Sequence, residues 1–198
     1  LEYPAGIHEI ERHLQLIKKL GIAAAGNHLE FPILAKDEEE FIGSGLRVEK
    51  QQYVVIHPGS RGVSRQWNPE NFAAVGDFCQ ANGLQVIVTG TPDEREIVQK
   101  VIANMKHTPI NAAGKTSLGA VAVLIKNAAA LVSNCTGVSH IASALKTKSI
   151  VLSLDGEPWR WEPLNKELHT SIDWTKTHSL SYVIDQTNAL LFNKSAVN

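Results

Sequence analysis

Leu131-Val-Ser-Asn-Cys-Thr-Gly-Val-Ser-His140, followed by Ile-Ala-Ser-Ala-Leu-Lys146, reads as an apolar strand, a tight turn of small polar residues, and a helix. Such a turn points backbone N–H groups at the space above a sheet. Together with the positive end of the helix dipole, those donors suit a phosphate or diphosphate. Thr136 stands at the helix start and Gly137 in its first turn, so a bulky anion can approach the backbone closely. His140, one turn further on, can face the same ligand. An ordinary strand-to-helix turn, in which Ser133, Asn134 and Thr136 only cap, accounts for the local pattern equally well.

Working outward, the chain alternates strands and helices from about residue 51. Tyr53-Val-Val-Ile56 is a short buried strand running into His57-Pro-Gly-Ser60. Asn68-Pro69-Glu70 opens a helix to about Asn82, with Asn68 as N-cap, Pro69 at the first helical position and Gly83 as the stop. Strands are expected at Leu84–Thr89, Pro109–Ala112 (weaker), Ala129–Ser133 and Ser149–Leu154, with a doubtful one at Ile172–Thr175. Helices are expected at Glu94–Met105, Leu118–Asn127, Gly137–Leu145 and Leu180–Phe192. This alternation means an α/β fold, a parallel sheet with helices on both faces. Ligands in such sheets bind beyond the carboxyl ends of the strands. Five polar loops fall there: His57–Ser60, Gly90–Asp93, Gly114–Thr116, Asn134–His140 and Asp155–Trp161.

Residues 1–50 follow a different pattern. Ile7, Ile10, Leu14, Ile17 and Leu20 form a helical stripe that Gly21 ends. Leu29–Leu34 contains Pro32 and is at best an edge strand. Asp37–Ile42 is a short helix or turn. This segment reads as an interdomain connector or the remnant of a neighbouring domain, leaving residues 51–198 as the main domain.

The composition is that of a globular protein: 198 residues, 43% hydrophobic and 20% charged, with a formal net charge of −1. No basic field exists to hold nucleic acid. The two cysteines, Cys79 and Cys135, suggest no disulfide framework, and a reducing cytoplasm is the simplest setting. No apolar run approaches the ~20 residues that span a bilayer, and no signal peptide is visible. The start without Met suggests a fragment or a processed product.

The other loops carry weaker signals. His57-Pro-Gly-Ser-Arg-Gly-Val-Ser-Arg-Gln-Trp67 offers backbone donors and the guanidinium forks of Arg61 and Arg65 to a phosphate. The alternative is a solvated loop with Trp67 packed on the next helix; the arginines' place after a strand end favours binding. Asp93 or Glu94 could meet ribose hydroxyls, although acids also favour helix N-termini for dipole reasons alone, and locally that reading is stronger. Gly114-Lys115-Thr116 lacks the earlier glycine of a nucleoside-triphosphatase loop, since position 109 is Pro. Trp159 and Trp161 cover the cleft or pack against Pro163. Neither metal-ligand spacing nor a Gly-x-Ser-x-Gly elbow occurs, so no metal, cofactor or serine hydrolase is expected.

Taken together, the loops resemble glycosyltransferase family 9, the heptosyltransferases of the lipopolysaccharide inner core. The matching stretches are His57-Pro-Gly59, Arg65-Gln-Trp67, Gly90-Thr-Pro-Asp-Glu94, Gly114–Leu118 and Ser133–His140, in the family's order and spacing between residues 50 and 156. The resemblance implies a GT-B architecture of two Rossmann-like domains, of which this chain is the carboxyl-terminal, donor-binding half. The implied donor is ADP-heptose or a similar nucleotide-sugar. The implied acceptor is a lipid A core sugar, reached through the other domain, which also holds the catalytic base. Localisation would be cytoplasmic, at most peripheral at the inner face of the bacterial inner membrane, and the isolated chain would bind donor without transferring it.

Carried over position by position, Ser60 and Arg65 would hold the diphosphate, with Arg65 standing where the family usually has Lys. Thr136 and Gly137 would bind phosphate at the helix start, with His140 nearby. Glu94, or Asp93, would take the ribose hydroxyls, and Thr116, Ser117 and Leu118 would border the adenine. Two departures stand out: Cys135 replaces the family aspartate beside the donor sugar, and Asn68 separates Trp67 from Pro69. A thiol is a poor substitute for a carboxylate acceptor. It leaves open two alternatives, a non-catalytic or degenerate nucleotide-sugar-binding module and another GT-B enzyme using a UDP-sugar.

Overall fold

The computed structural model describes residues 3–193. The last five residues of the expected main domain, 194–198, and residues 1–2 of the connector lie outside that range. Six strands, β1 (Tyr53–His57), β2 (Gln85–Val88), β3 (Ile110–Asn111), β4 (Ala130–Asn134), β5 (Ser149–Ser153) and β6 (His169–Asp173), form one sheet in the order β3-β2-β1-β4-β5-β6. Every pairing is parallel. This is the doubly wound, Rossmann-like order, and its chain reversal falls between β1 and β4.

The central strands are continuous apolar runs because both of their faces are covered. Val54 and Ile56 face one layer with Val86, Val88, Val132, Ile150 and Leu152. That layer is closed by helices α3 (Pro69–Ala81), α4 (Arg95–Asn104) and α8 (Leu180–Phe192), through Phe72, Val98 and Val183 among others. Tyr53 and Val55 point the other way, with Ile87 and Leu131, into a layer built from α5 (Leu118–Asn127) and α6 (Gly137–Ala144). Two residues per repeat sorts the side chains cleanly between the two cores.

Helix α5 is buried from Ala120 to Ile125 without interruption, because a further helix lies on its outer side. That helix is α2 (Ala35–Gly43). Its Asp37 accepts from the Leu34 N–H at 2.8 Å, closing the first turn. The same carboxyl rests on Gly119, where a Cβ would collide with it. Leu46 joins the core beneath, and Phe31, Phe41 and Val48 pack on it. Residues of the first 50 therefore complete the second layer.

Helix α1 (Glu9–Lys19) is held by polar contacts instead. His8 Nε2 lies 2.8 Å from the Glu162 carbonyl, and Arg160 reaches Glu9 at 3.0 Å.

Three elements differ from the sequence expectation. Leu29–Leu34 forms no strand: Pro32 has no N–H to donate, and the Leu34 N–H is taken by Asp37. The last strand runs over His169–Asp173 instead of Ile172–Thr175. It is set by pairing along β5, where Ser149 Oγ meets His169 Nδ1 at 2.9 Å. A short helix, α7 (Pro158–Trp161), interrupts the expected loop, with Pro158 at its first position.

Candidate functional site

A cleft of about 1210 Å³ opens at the carboxyl ends of β1, β2 and β4, beside the chain reversal. Its floor is tied together by one side chain. Asn134 ends β4 fully buried, and its amide donates to the Pro58 carbonyl at 2.8 Å and more weakly to that of Gly59 at 3.3 Å. Its Oδ1 accepts from the Trp67 backbone N–H at 2.9 Å. Loop 57–67 is thereby fixed against the turn at 135–137. Trp67 is a buried wedge, edge-on to Phe72 and to Trp174 with ring centroids 5.1 Å apart in each case. It packs on the following helix, as the non-binding reading of that loop required.

On one wall, Thr136 and Gly137 start α6. No side chain caps this helix, and the space beside Gly137 is open. Ser60 and Arg61 line the same cavity. An uncapped helix N-terminus, a guanidinium and a hydroxyl thus line one cavity, groups of a kind that suits an anion.

The cavity also carries an acid. The short 3-10 turn Pro92–Glu94 turns Glu94 inward. One carboxyl oxygen, Oε2, accepts from the Thr91 N–H at 2.8 Å and lies 3.5 Å from His57 Nε2. The carboxyl is seated directly against Gly59, where a Cβ would overlap it. His57 is buried, and burial holds it below the ordinary histidine range against a weaker upward pull from Glu94. Its Nδ1 meets Thr89 Oγ1 at 3.1 Å. Asp93 lines the cavity from an exposed position on the lip.

Thr116, Ser117 and Leu118 form the edge above β3, with Val121 and Phe31 continuing an apolar patch. The Ser117 hydroxyl is already engaged. It caps α5 by accepting from Ala120 N at 3.1 Å, and it donates to the Glu40 carboxylate. Leu118, by contrast, is 64% exposed, an apolar side chain left open to a ligand.

The structure splits the expected site residues into two groups. Ser60, Asp93, Glu94, Thr116, Ser117, Leu118, Thr136 and Gly137 line the cleft. Arg65, Cys135 and His140 stand outside its wall, on the β5 flank. Arg65 closes the 3-10 turn Val63–Arg65 and reaches Asp155 at 3.6 Å. The Cys135 thiol is pushed up to about 11, first by burial and then by Asp155, with Arg65 opposing. The imidazole of His140 tilts over Trp161 at 6.3 Å and is held low by burial and by His8.

Sequence reasoning passed over three contributors. Gln66 braces the Ser60 carbonyl at 3.0 Å. Lys100 lines the outer rim beside Glu96, to which it pairs at 2.7 Å. Phe31 comes from outside the β–α pattern and carries no local signal. Among the described residues, no group of three or more His, Cys, Asp or Glu could hold a metal ion, and no helix is long and apolar enough to cross a membrane.

A doubly wound sheet with a cleft at its reversal defines a class, the Rossmann-like ligand-binding domains. Within it, the chain belongs to glycosyltransferase family 9 (heptosyltransferase), whose model matches residues 1–188. It is 28% identical over 164 residues to the lipopolysaccharide core heptosyltransferase OpsX of Haemophilus influenzae, covering 82% of this chain and 47% of that protein. A crystal structure of a family 9 glycosyltransferase from Veillonella parvula superimposes with a TM-score of 0.82 at 22% identity, over 98% of this chain and 62% of that one. The E. coli heptosyltransferase WaaC with ADP superimposes with a TM-score of 0.70 at 18% identity, over 96% of this chain and 59% of that one. The chain spans about half the length of the curated relatives it matches.

Proposed function

We propose that this chain is the donor-binding half of a heptosyltransferase of the lipopolysaccharide core, holding ADP-heptose in its cleft. One observation carries the reading: an uncapped helix N-terminus at Thr136–Gly137 and an inward carboxylate at Glu94 face the same cavity. The first suits a diphosphate and the second a ribose diol, so a nucleoside diphosphate would span them. The OpsX relative and WaaC, which is described with ADP, support an adenine nucleotide and a heptose.

During transfer, the bond from the sugar's anomeric carbon to the diphosphate breaks as a bond to an acceptor hydroxyl oxygen forms. Charge gathers on the departing ADP. Arg61, Ser60 and the start of α6 stabilise it by fixed dipoles and charge, without a metal. The acceptor, a lipid A core sugar, and the base that takes its proton belong to a companion domain, so this chain binds donor and does not turn it over alone. Its setting would be the cytoplasm, at most peripheral to the inner face of the inner membrane.

A second reading is favoured by Cys135. Its protonated thiol cannot accept as a carboxylate does, which would suit a degenerate binding module or a UDP-sugar enzyme. Thermal unfolding separates the ADP reading from the UDP one, because a ligand raises Tm only if it binds the folded state. The proposal expects ADP to raise Tm at concentrations where UDP does not. An equal or larger rise with UDP contradicts it.

A further inference from the structure

We infer that His57 and Thr89 are positioning residues that fix the Glu94 carboxylate with one oxygen reserved for a ribose hydroxyl, so that the site selects nucleotides with an unmodified diol. This rests on the donor-site reading above and adds the selecting device.

The observations are geometric. Glu94 Oε2 is anchored by the Thr91 N–H at 2.8 Å and approached by His57 Nε2 at 3.5 Å. Its other oxygen, Oε1, has no hydrogen-bond partner among the described residues, although the residue lines the cleft. Gly59 and Gly90 press on the side chain from the two neighbouring loops, leaving it little freedom.

His57 in turn is buried, at the end of β1. A neutral imidazole carries a single N–H, and the adjacent carboxylate favours that proton on Nε2. Nδ1 is then a bare acceptor, which the Thr89 hydroxyl satisfies at 3.1 Å. The rival acceptor for this hydroxyl, the Ile56 carbonyl, is farther at 3.3 Å. The chain of contacts runs from Thr89 O–H, hydrogen-bonded to His57 Nδ1, to His57 Nε2–H, which faces Glu94 Oε2 at 3.5 Å as an electrostatic contact longer than a hydrogen bond. It leaves Oε1 as an acceptor held in one place. A hydroxyl can donate to it, whereas a phosphate on the same ribose carbon meets like charge.

Calorimetric titration with ADP, 2′-deoxy-ADP and 3′-deoxy-ADP tests this. The protein is expected to prefer ADP over at least one deoxy form by about tenfold or more, the worth of one charge-assisted hydrogen bond. His57→Asn is too short to reach Glu94 and should bring that ratio below about threefold. His57→Gln, which returns an N–H near the Nε2 position, should restore the ratio. Thr89→Val keeps the imidazole but unpins Nδ1 and should also lower the ratio, which covers the case of an unfolded His57→Asn. An unchanged ratio in either His57→Asn or Thr89→Val overturns the inference. Unmutated protein that binds ADP without distinguishing the deoxy forms also overturns the inference, while leaving the donor-site reading standing. Failure to bind ADP at all overturns the donor-site reading beneath it.

Discussion

Asn134 and Trp67, 67 residues apart in sequence, are joined by a buried hydrogen bond of 2.9 Å from the Trp67 N–H to the Asn134 side-chain oxygen. Because the same amide also holds the carbonyls of Pro58 and Gly59, the floor of the cleft depends on this one side chain. Asn134→Ala should leave a buried N–H and two carbonyls without partners and cost about 3 kcal/mol. Urea unfolding measures it. A loss near zero would mean that the loop holds its shape by packing of Trp67 alone.

Gly59→Ala makes a contrasting prediction. The backbone at Gly59 is outside the left-handed region, so the methyl group brings no conformational strain, but it occupies the space of the Glu94 carboxyl. Affinity for ADP should fall by about tenfold or more as Glu94 is displaced. The Tm should move little. Competition binding and a melting curve on one preparation separate the two effects.

Stability should decline with acid between about pH 6.5 and pH 4. His169 is 2% exposed, and burial, aided by Lys166, lowers it to about 4. Unfolded chain takes up a proton near pH 6.5 that the folded chain refuses, so the stabilisation is complete above that pH and is lost on the way down. The expected loss is on the order of 3 kcal/mol. Urea midpoints at pH 7 and pH 4.5 should show it, and His169→Gln should flatten the dependence. A midpoint that does not fall between those pH values in the unmutated protein would contradict it.

The legibility of this fold follows burial. β1, β2, β4 and β5 stood out because strands covered on both faces are near-continuous runs of Val, Ile and Leu. The helix start at Asn68-Pro69 was legible because the fixed φ of Pro69 is local chemistry, although the Asn68 side chain makes no capping hydrogen bond. β6 was displaced because only Ile172 among its five residues is apolar, and its register is set by β5. The packing of Asp37 on Gly119 is a tertiary fit between segments 82 residues apart, which no local pattern encodes. Within the site, the order of the loops was readable and the direction of each side chain was not. Arg61 and Arg65 look equivalent on paper, yet the 3-10 turn Val63–Arg65 sends one to the cleft and the other toward Asp155.

Cys135 should be a slow nucleophile. Held at about 11 by burial and Asp155, its thiol is almost wholly protonated at neutral pH, and Cys79 is buried at about 12. Iodoacetamide should modify Cys135 at least about tenfold more slowly than free cysteine at pH 7.5, and faster as pH rises. Mass spectrometry after timed quenching reads the rate. Fast labelling would place the thiol in an electropositive setting unlike the one described.

The central claim is that the cleft holds the ADP moiety of a nucleotide-sugar. Calorimetric titration of the protein with ADP, UDP and ADP-heptose tests it most directly. ADP is expected to bind more tightly than UDP by about tenfold or more, and ADP-heptose more tightly than ADP. A preference for UDP, or no binding of any of the three, would contradict it.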